Sequence, residues 1–283
     1  MMPRRRPPVA LALACALLAL PALVGCSVNP VTGRNQLILI SADQEVAMGL
    51  EAAPELEKEF GGRVADASLQ QYVASVGAKI AAVSDRPMPY TYTLVGSDVP
   101  NAFALPGGPI YITAGLMRLI DSERQLAAVL AHETVHVAAK HSVSQMQKQM
   151  GTQVLVEIAG RAGGEGSAVG DVAKVVSNMG LMKYSRDDEY QADAYGIRYA
   201  ARAGYNPWGM VELLQHLSDL NEKEPGRLTE MFQTHPLSSK RIAEAQAAIT
   251  ADPAYAQWSK TAADPGADRY RRMKALLPPP AKK

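Results

Sequence analysis

The sequence is poor in several features that would otherwise suggest a function. It has 2 Cys in 283 residues, Cys15 and Cys26, too few for a disulfide framework. Neither charge sign dominates: 29 Lys and Arg stand against 28 Asp and Glu, for a net charge of +1. That balance carries no nucleic-acid footprint. No internal repeat is visible, and past the first 25 residues no apolar run reaches the roughly 20 residues of a membrane-spanning helix. What is present is ordinary globular material. The chain is 47% hydrophobic and 20% charged with 22 Gly and 19 Pro, which excludes disorder, collagen-like repeats and a disulfide-rich mini-protein.

The first residues read as a targeting segment. Arg4, Arg5 and Arg6 precede an apolar run from Val9 to Leu23, too short to span a bilayer comfortably and placed like a secretory signal. It ends in Leu23-Val24-Gly25-Cys26, which resembles a bacterial lipobox. The pattern gives residues 1–25 as a lipoprotein signal peptide and Cys26 as a diacylated new N-terminus, an anchor of the strength that several acyl chains provide. Ser27 follows in place of Asp. By resemblance to Gram-negative lipoproteins, this favours the inner leaflet of the outer membrane, with the body in the periplasm.

Residues 26–40 are expected to be a lipidated tether, 41–250 the folded domain, and 251–283 a loose Pro-rich, basic tail. Ser41 with Gln44 starts a helix to about Phe60. Leu69, Tyr72, Val73, Val76, Ile80 and Val83 follow at helical spacing. Tyr90 to Val95 alternates like a strand. Asn101 to Leu105, Pro106-Gly107-Gly108 and Ile110 to Thr113 read as a hairpin. Ser122 with Gln125 caps a long helix to about His141. Residues 142–183 are expected to be helical with a break at Gly160 to Gly170. Ser185 with Asp188 caps a helix to about Ala203, Asn206-Pro207 opens another, and Pro236 to Ile249 forms the last substantial one. The expected fold is one mostly helical α+β domain with a small sheet.

The chemistry lies in Ala131-His132-Glu133-Thr134-Val135-His136. Two His at i and i+4 project from one helix face and can reach one metal ion, while the Glu between them reaches a bound water. A third ligand is needed. The extended pattern with a further Gly and His is missing, because Ala139 and Ser142 occupy those places; His141 is one residue out of register and suits the C-terminal end of the helix dipole. Glu189 is the candidate third ligand. It shares a helix face with Asp193, and a zinc ion on Glu189 with an Asp193 hydrogen bond to a ligating His would compensate two buried acids. Ala192 and Gly196 would let the two helices approach closely. The bland alternative is a solvated acidic helix start. His216, among Val211, Leu213, Leu214 and Leu217, reads as structural.

HExxH followed by Ser-Arg-x-x-Glu-x-x-Ala-Asp resembles the zinc metallopeptidase family of HtpX and the CAAX prenyl protease, and in organisation its soluble lipoprotein branch with BepA and LoiP. The resemblance covers about residues 41–250 and implies a gluzincin-like domain with one Zn2+. It implies His132, His136 and Glu189 as zinc ligands, Glu133 as the catalytic Glu and Asp193 as the partner of a ligating His. Asn101, Ala102, Phe103 and Ala104 resemble the edge strand on which such peptidases pair an extended substrate. His235, in Thr234-His235-Pro236 followed by Arg241, resembles a family His that either latches the open zinc position or contacts the reacting oxyanion. The implied activity is endoproteolysis of unfolded or damaged envelope proteins. The alternative is a latched, largely non-proteolytic assembly or binding factor, against which the intact Glu133 argues. The transmembrane helices of HtpX and the CAAX protease and the repeat array of BepA have no counterpart in this sequence, so prenylated substrates and array-borne docking are not expected.

Overall fold

The computed structural model describes residues 26–148 and 183–280. The expected signal peptide and the Gly160 to Gly170 break lie outside the described residues. The helix starts form where side chains can satisfy free backbone N–H groups. Helix α1 (Ala42–Glu59) opens on a reciprocal capping box of Ser41 and Gln44. Helix α2 (Ala67–Ala81) is capped by Asp66 and buries Leu69, Tyr72, Val73, Val76 and Ile80.

Three strands follow: β3 (Thr91–Val95), β4 (Ala102–Ala104) and β5 (Pro109–Thr113). The expected hairpin is present, with Phe103 opposite Tyr111. Strand β3 pairs with β5 in parallel, so the sheet order is β3-β5-β4 and β4 lies on an edge. Thr113 N–H donates to Asn101 O and Leu105 N–H to Pro109 O. In an antiparallel ladder this alternation turns the backbone groups of Ala102 and Ala104 away from β5.

Helix α3 (Ala114–Leu119) leads to α4 (Glu123–Ala138), the centre of the molecule. Every residue of α4 except Arg124 is buried, because α4 packs against α2, the sheet, α5 (Arg186–Arg202) and α6 (Trp208–Lys223). The capping box of Ser185 and Asp188 starts α5. At Gly196 of α5 an added Cβ would lie 3.3 Å from His132 N, so this glycine permits the close approach that the sequence suggested. Helices α7 (Thr229–Thr234) and α8 (Ser239–Ala251) complete the domain. Among the described residues no helix is long and apolar enough to cross a membrane.

Three expectations are corrected. Helix α4 stops at Ala138. Lys140 adopts a left-handed conformation with φ 60°, and a new helical run begins at 141. Residues 26–40 are not a loose tether: β1 (Cys26–Val28) pairs with β2 (Asn35–Leu37), Val31, Ile38 and Ile40 are buried, and Asn29 Nδ2 donates to Ala139 O at 3.0 Å. Nor is the C-terminal segment loose. It forms a short 3-10 turn (Pro253–Tyr255) and α9 (Ala267–Lys274). Tyr270 is fully buried and its hydroxyl donates to Met117 O or Ile120 O at the end of α3. Arg269 pairs with Glu123 at the start of α4. Pro-rich, basic composition suggests a solvated tail, but here the cations and one Tyr meet an acidic helix start and free helix-end carbonyls, which hold them.

Candidate metal centre

Helix α4 presents His132, Glu133 and His136, α5 presents Glu189 and Asp193, and the turn after α7 presents His235. All six are buried. Ligand atoms of His132, His136, Glu189 and His235 lie within 4.8 Å of one another. His132 Nε2 and His136 Nε2 are 3.0 Å apart. Glu189 Oε1 is 3.5 Å from His136 Nε2, and Oε2 is 3.7 Å from His132 Nε2. His235 Nδ1 is 3.0 Å from Glu189 Oε1 and 3.4 Å from His132 Nε2. A tetrahedral zinc ion with ligands at about 2.0–2.1 Å would hold them about 3.3 Å apart.

The hydrogen-bond partners fix which nitrogens point inward. His132 Nδ1–H donates to Asp193 Oδ1 at 3.0 Å, leaving a lone pair on Nε2. His136 Nδ1–H donates to His141 Nδ1 at 3.0 Å, and His141 Nε2–H reaches Gln191 Oε1 at 3.5 Å. Burial pushes both His136 and His141 below the ordinary imidazole range, so both are neutral and this relay is consistent. Two nitrogen lone pairs therefore face each other at 3.0 Å beside a carboxylate. Such a grouping repels itself unless a cation sits among its members, so the donor set fits a divalent ion. Glu133 Oε2 and His235 Nε2 are buried without a hydrogen-bond partner among the described residues.

The surrounding charges are arranged to keep the ligands ready. Arg241 donates to Asp193 from Nε and Nη2, both at 2.7 Å, and pairs with Glu189. Burial alone would raise Glu189, but His235 and Arg241 hold it well below the usual carboxylate range. Asp193 is lowered in the same way, with Arg241 outweighing burial. Burial dominates at Glu133 and raises it, as suits a group that must take up a proton. Its Oε1 lies 3.6 Å from His235 Nε2. At His235 the carboxylates of Glu189 and Glu133 outweigh burial and raise the imidazole.

Strand β4 runs beside α4, and Ala102 lines the same cavity as His132 and Glu133. Asn101, fully buried, has neither amide atom paired among the described residues. The side chain of Phe103 turns the other way, stacking on Tyr111 with centroids 5.1 Å apart.

Sequence reasoning missed three neighbours of the cluster. His141, read as a dipole partner, instead supports His136, because the left-handed turn at Lys140 brings it back beneath that ring. Tyr184 stacks on His136 at 3.7 Å, and no local signal marked it. Arg241 was noticed only as part of a segment, and its service to both acids was not read. His216 lies apart and pairs with Asp121.

Comparison with known proteins agrees with this arrangement. The sequence model of peptidase family M48 matches residues 67–249, more than half of the chain. A beta-barrel assembly-enhancing protease of Yersinia pestis is 30% identical over 232 residues, 77% of this chain and 46% of that protein. The mitochondrial metalloendopeptidase OMA1 of Schizosaccharomyces pombe is 30% identical over 217 residues, 75% of this chain and 63% of its own length. The metalloprotease LoiP of Escherichia coli is 30% identical over 169 residues, 58% of this chain and 64% of that one. The chain thus spans about half the length of the barrel-assembly relatives it matches. The HExxH helix, the acidic helix packed against it and the extent of these matches together show that this mostly helical chain with its small sheet belongs to peptidase family M48.

Proposed function

We propose that this protein is a zinc endopeptidase of the bacterial envelope that hydrolyses unfolded or damaged envelope proteins. The observation that carries the reading is the buried carboxyl of Glu133, whose Oε2 accepts no hydrogen bond among the described residues, beside a four-donor cluster and an edge strand. His132, His136 and Glu189 would hold the ion. When bound, zinc would supply Lewis-acid polarisation of the scissile carbonyl and lower the pKa of a water towards about 7. Glu133 takes the proton of the attacking water and passes it to the leaving amine, a role matched to its raised pKa. Asp193 and Arg241 keep the His132 ring in register. The outward backbone groups of Ala102 and Ala104 would pair with an extended peptide, as strand addition requires. The free amide of Asn101 offers one donor and one acceptor to the same backbone, while Phe103 anchors the strand from behind.

His235 Nδ1 sits where a fourth ligand belongs, and in this reading it latches the resting site. The closed fourth corner favours the alternative, a latched assembly factor; the free Glu133 carboxylate speaks against it, since a structural site has no use for that group. Envelope substrates are supported by the names of the relatives. The anchor is supported by the lipobox and by Val28 and Leu37, each 59% exposed on the hairpin that begins at Cys26, where apolar side chains suit a bilayer surface. No nucleic-acid partner is proposed.

The test is a trap. Glu133→Gln should keep its zinc, lose cleavage of an unfolded substrate by a factor of about 100 to 10,000, and retain envelope proteins on purification. Undiminished cleavage at full zinc loading would remove Glu133 from the chemistry.

A further inference from the structure

The last carbonyls of a helix have no partner within it, and what meets them decides how the chain leaves. Helix α4 ends at Ala138, just past the ligand His136, and side chains from two distant segments meet its final carbonyls. Arg86 Nη1 donates to Val137 O at 3.1 Å, and Asn29 Nδ2 donates to Ala139 O at 3.0 Å. Lys140 N–H donates back to Val137 O at 3.1 Å. The peptide that joins Ala139 to Lys140 is therefore held at both ends. Asn29 takes its oxygen, and its N–H goes to a carbonyl that Arg86 also binds.

Among the described residues Lys140 alone, glycines aside, has a positive φ, 60°. A residue with a Cβ stays there only where its surroundings fix it. The two residues after this turn serve one ligating ring from two sides. His141 Nδ1 accepts His136 Nδ1–H at 3.0 Å, which leaves the Nε2 lone pair of His136 for the cluster. Ser142 Oγ and the Tyr184 hydroxyl are hydrogen-bonded at 2.9 Å. The Tyr184 ring in turn lies on the face of His136, centroids 3.7 Å apart and planes at 21°. Edge and face of the His136 imidazole thus both depend on where the chain goes at Lys140.

We propose that Asn29 is a positioning residue of the metal centre: by holding Ala139 O it keeps Lys140 left-handed, and so keeps His141 and the Ser142–Tyr184 pair against His136. The inference rests on the ligand set of the reading above and adds a support that reaches it from 110 positions before Ala139. Asn29 also shapes its own hairpin, where its Oδ1 accepts Val31 N–H at 2.9 Å and Thr32 N–H at 3.1 Å. The two tasks use different atoms and can be separated. An Asp at this position keeps both acceptors, loses the donor, and sets a carboxylate against Ala139 O. By this route the hairpin that begins at Cys26 takes part in orienting a metal ligand.

The test measures Co2+ affinity by competition with a chromophoric chelator, at a temperature where every variant compared is folded. Asn29→Asp should weaken Co2+ binding about tenfold, the lower end of what a metal site loses with an orienting partner. Glycine takes the left-handed conformation at no steric cost. Asn29→Asp/Lys140→Gly should therefore bind Co2+ within about twofold of Lys140→Gly alone. His141→Ala cuts the same route further along, so adding Asn29→Asp to it should weaken binding by no more than about twofold. Imidazole nitrogen NMR of the metal-free protein should show His136 as the Nδ1–H tautomer in wild type and as a mixture in Asn29→Asp. Lys140→Val leaves the hairpin whole but disfavours the turn. It should reproduce the loss, and it decides the matter where Asn29→Asp does not fold. An Asn29→Asp affinity within about twofold of wild type overturns the positioning role, whatever its Tm. So does a loss that Lys140→Gly fails to restore, or one that multiplies with the loss from His141→Ala. Undiminished Co2+ affinity in Glu189→Ala would instead overturn the ligand set on which the inference rests.

Discussion

Replacing Asp193 by Asn removes two supports of the cluster at once. Asp193 Oδ1 accepts His132 Nδ1–H at 3.0 Å and Arg241 Nη2–H at 2.7 Å, while Oδ2 accepts Arg241 Nε–H at 2.7 Å. The Asn amide has one acceptor oxygen, and its NH2 would face a guanidinium donor. Arg241 is 5% exposed, so its charge cannot turn to water. Breaking a buried pair in this way costs about 3–5 kcal/mol. Glu189 stays beside Arg241, which places the loss near about 3 kcal/mol, or about 6–12 °C in Tm for a domain of this size. His132 is no longer held in one tautomer, and zinc affinity should fall about 10–100-fold. The stability arm has a pH signature in the metal-free protein. Asp193 is held below its unfolded value of 3.8, so its contribution is complete above that value and fades as pH falls through the lowered folded value. The gap between wild type and Asp193→Asn should therefore be full at neutral pH and close in acid. Thermal unfolding in chelator measures the first arm, and competition for zinc with a chromophoric chelator the second. A metal-free Tm within about 2 °C of wild type would refute the buried-pair argument; zinc affinity within about twofold would refute the orienting role of the Asp193 bond to His132.

Other changes separate the parts of the molecule. Glu189→Ala should lose most of the zinc that the purified protein holds, about one ion per chain, and metal analysis showing full retention would take Glu189 out of the ligand set. Tyr270→Ala should lower stability by about 3–5 kcal/mol, as buried aromatic truncations do, in denaturant unfolding; no change would return 251–283 to a loose tail. Cys26→Ala should abolish lipidation, so that the protein accumulates as precursor or leaves the outer-membrane fraction, and retention there after a salt wash would defeat the lipobox reading.

Much of this was legible in the sequence because it is written in local spacing. The capping boxes of Ser41 and Ser185 announced α1 and α5, and HExxH put two imidazoles and a carboxyl on one turn of a helix. Glu189 and Asp193 were legible as an unusual pair, since two acids four residues apart invite a compensating cation. The errors share a physical origin. Residues 26–40 and 251–283 have the composition of solvated chain, and what fixes them are contacts made across the whole molecule, Asn29 on Ala139 O and Tyr270 on the carbonyls ending α3. His141 went astray because a non-glycine residue at φ 60° cannot be read from its neighbours.

The sequence by itself determined the helices, the hairpin and the identity of the donors, because each depends on residues within a turn or two of one another. Only the tertiary structure decided that four donors from three segments converge within 4.8 Å and that Arg241 neutralises the two acids. Those relations join residues 46 to 103 positions apart, and no local period encodes such separations. They arise when Gly196 lets α5 close on α4 and the core holds both in place.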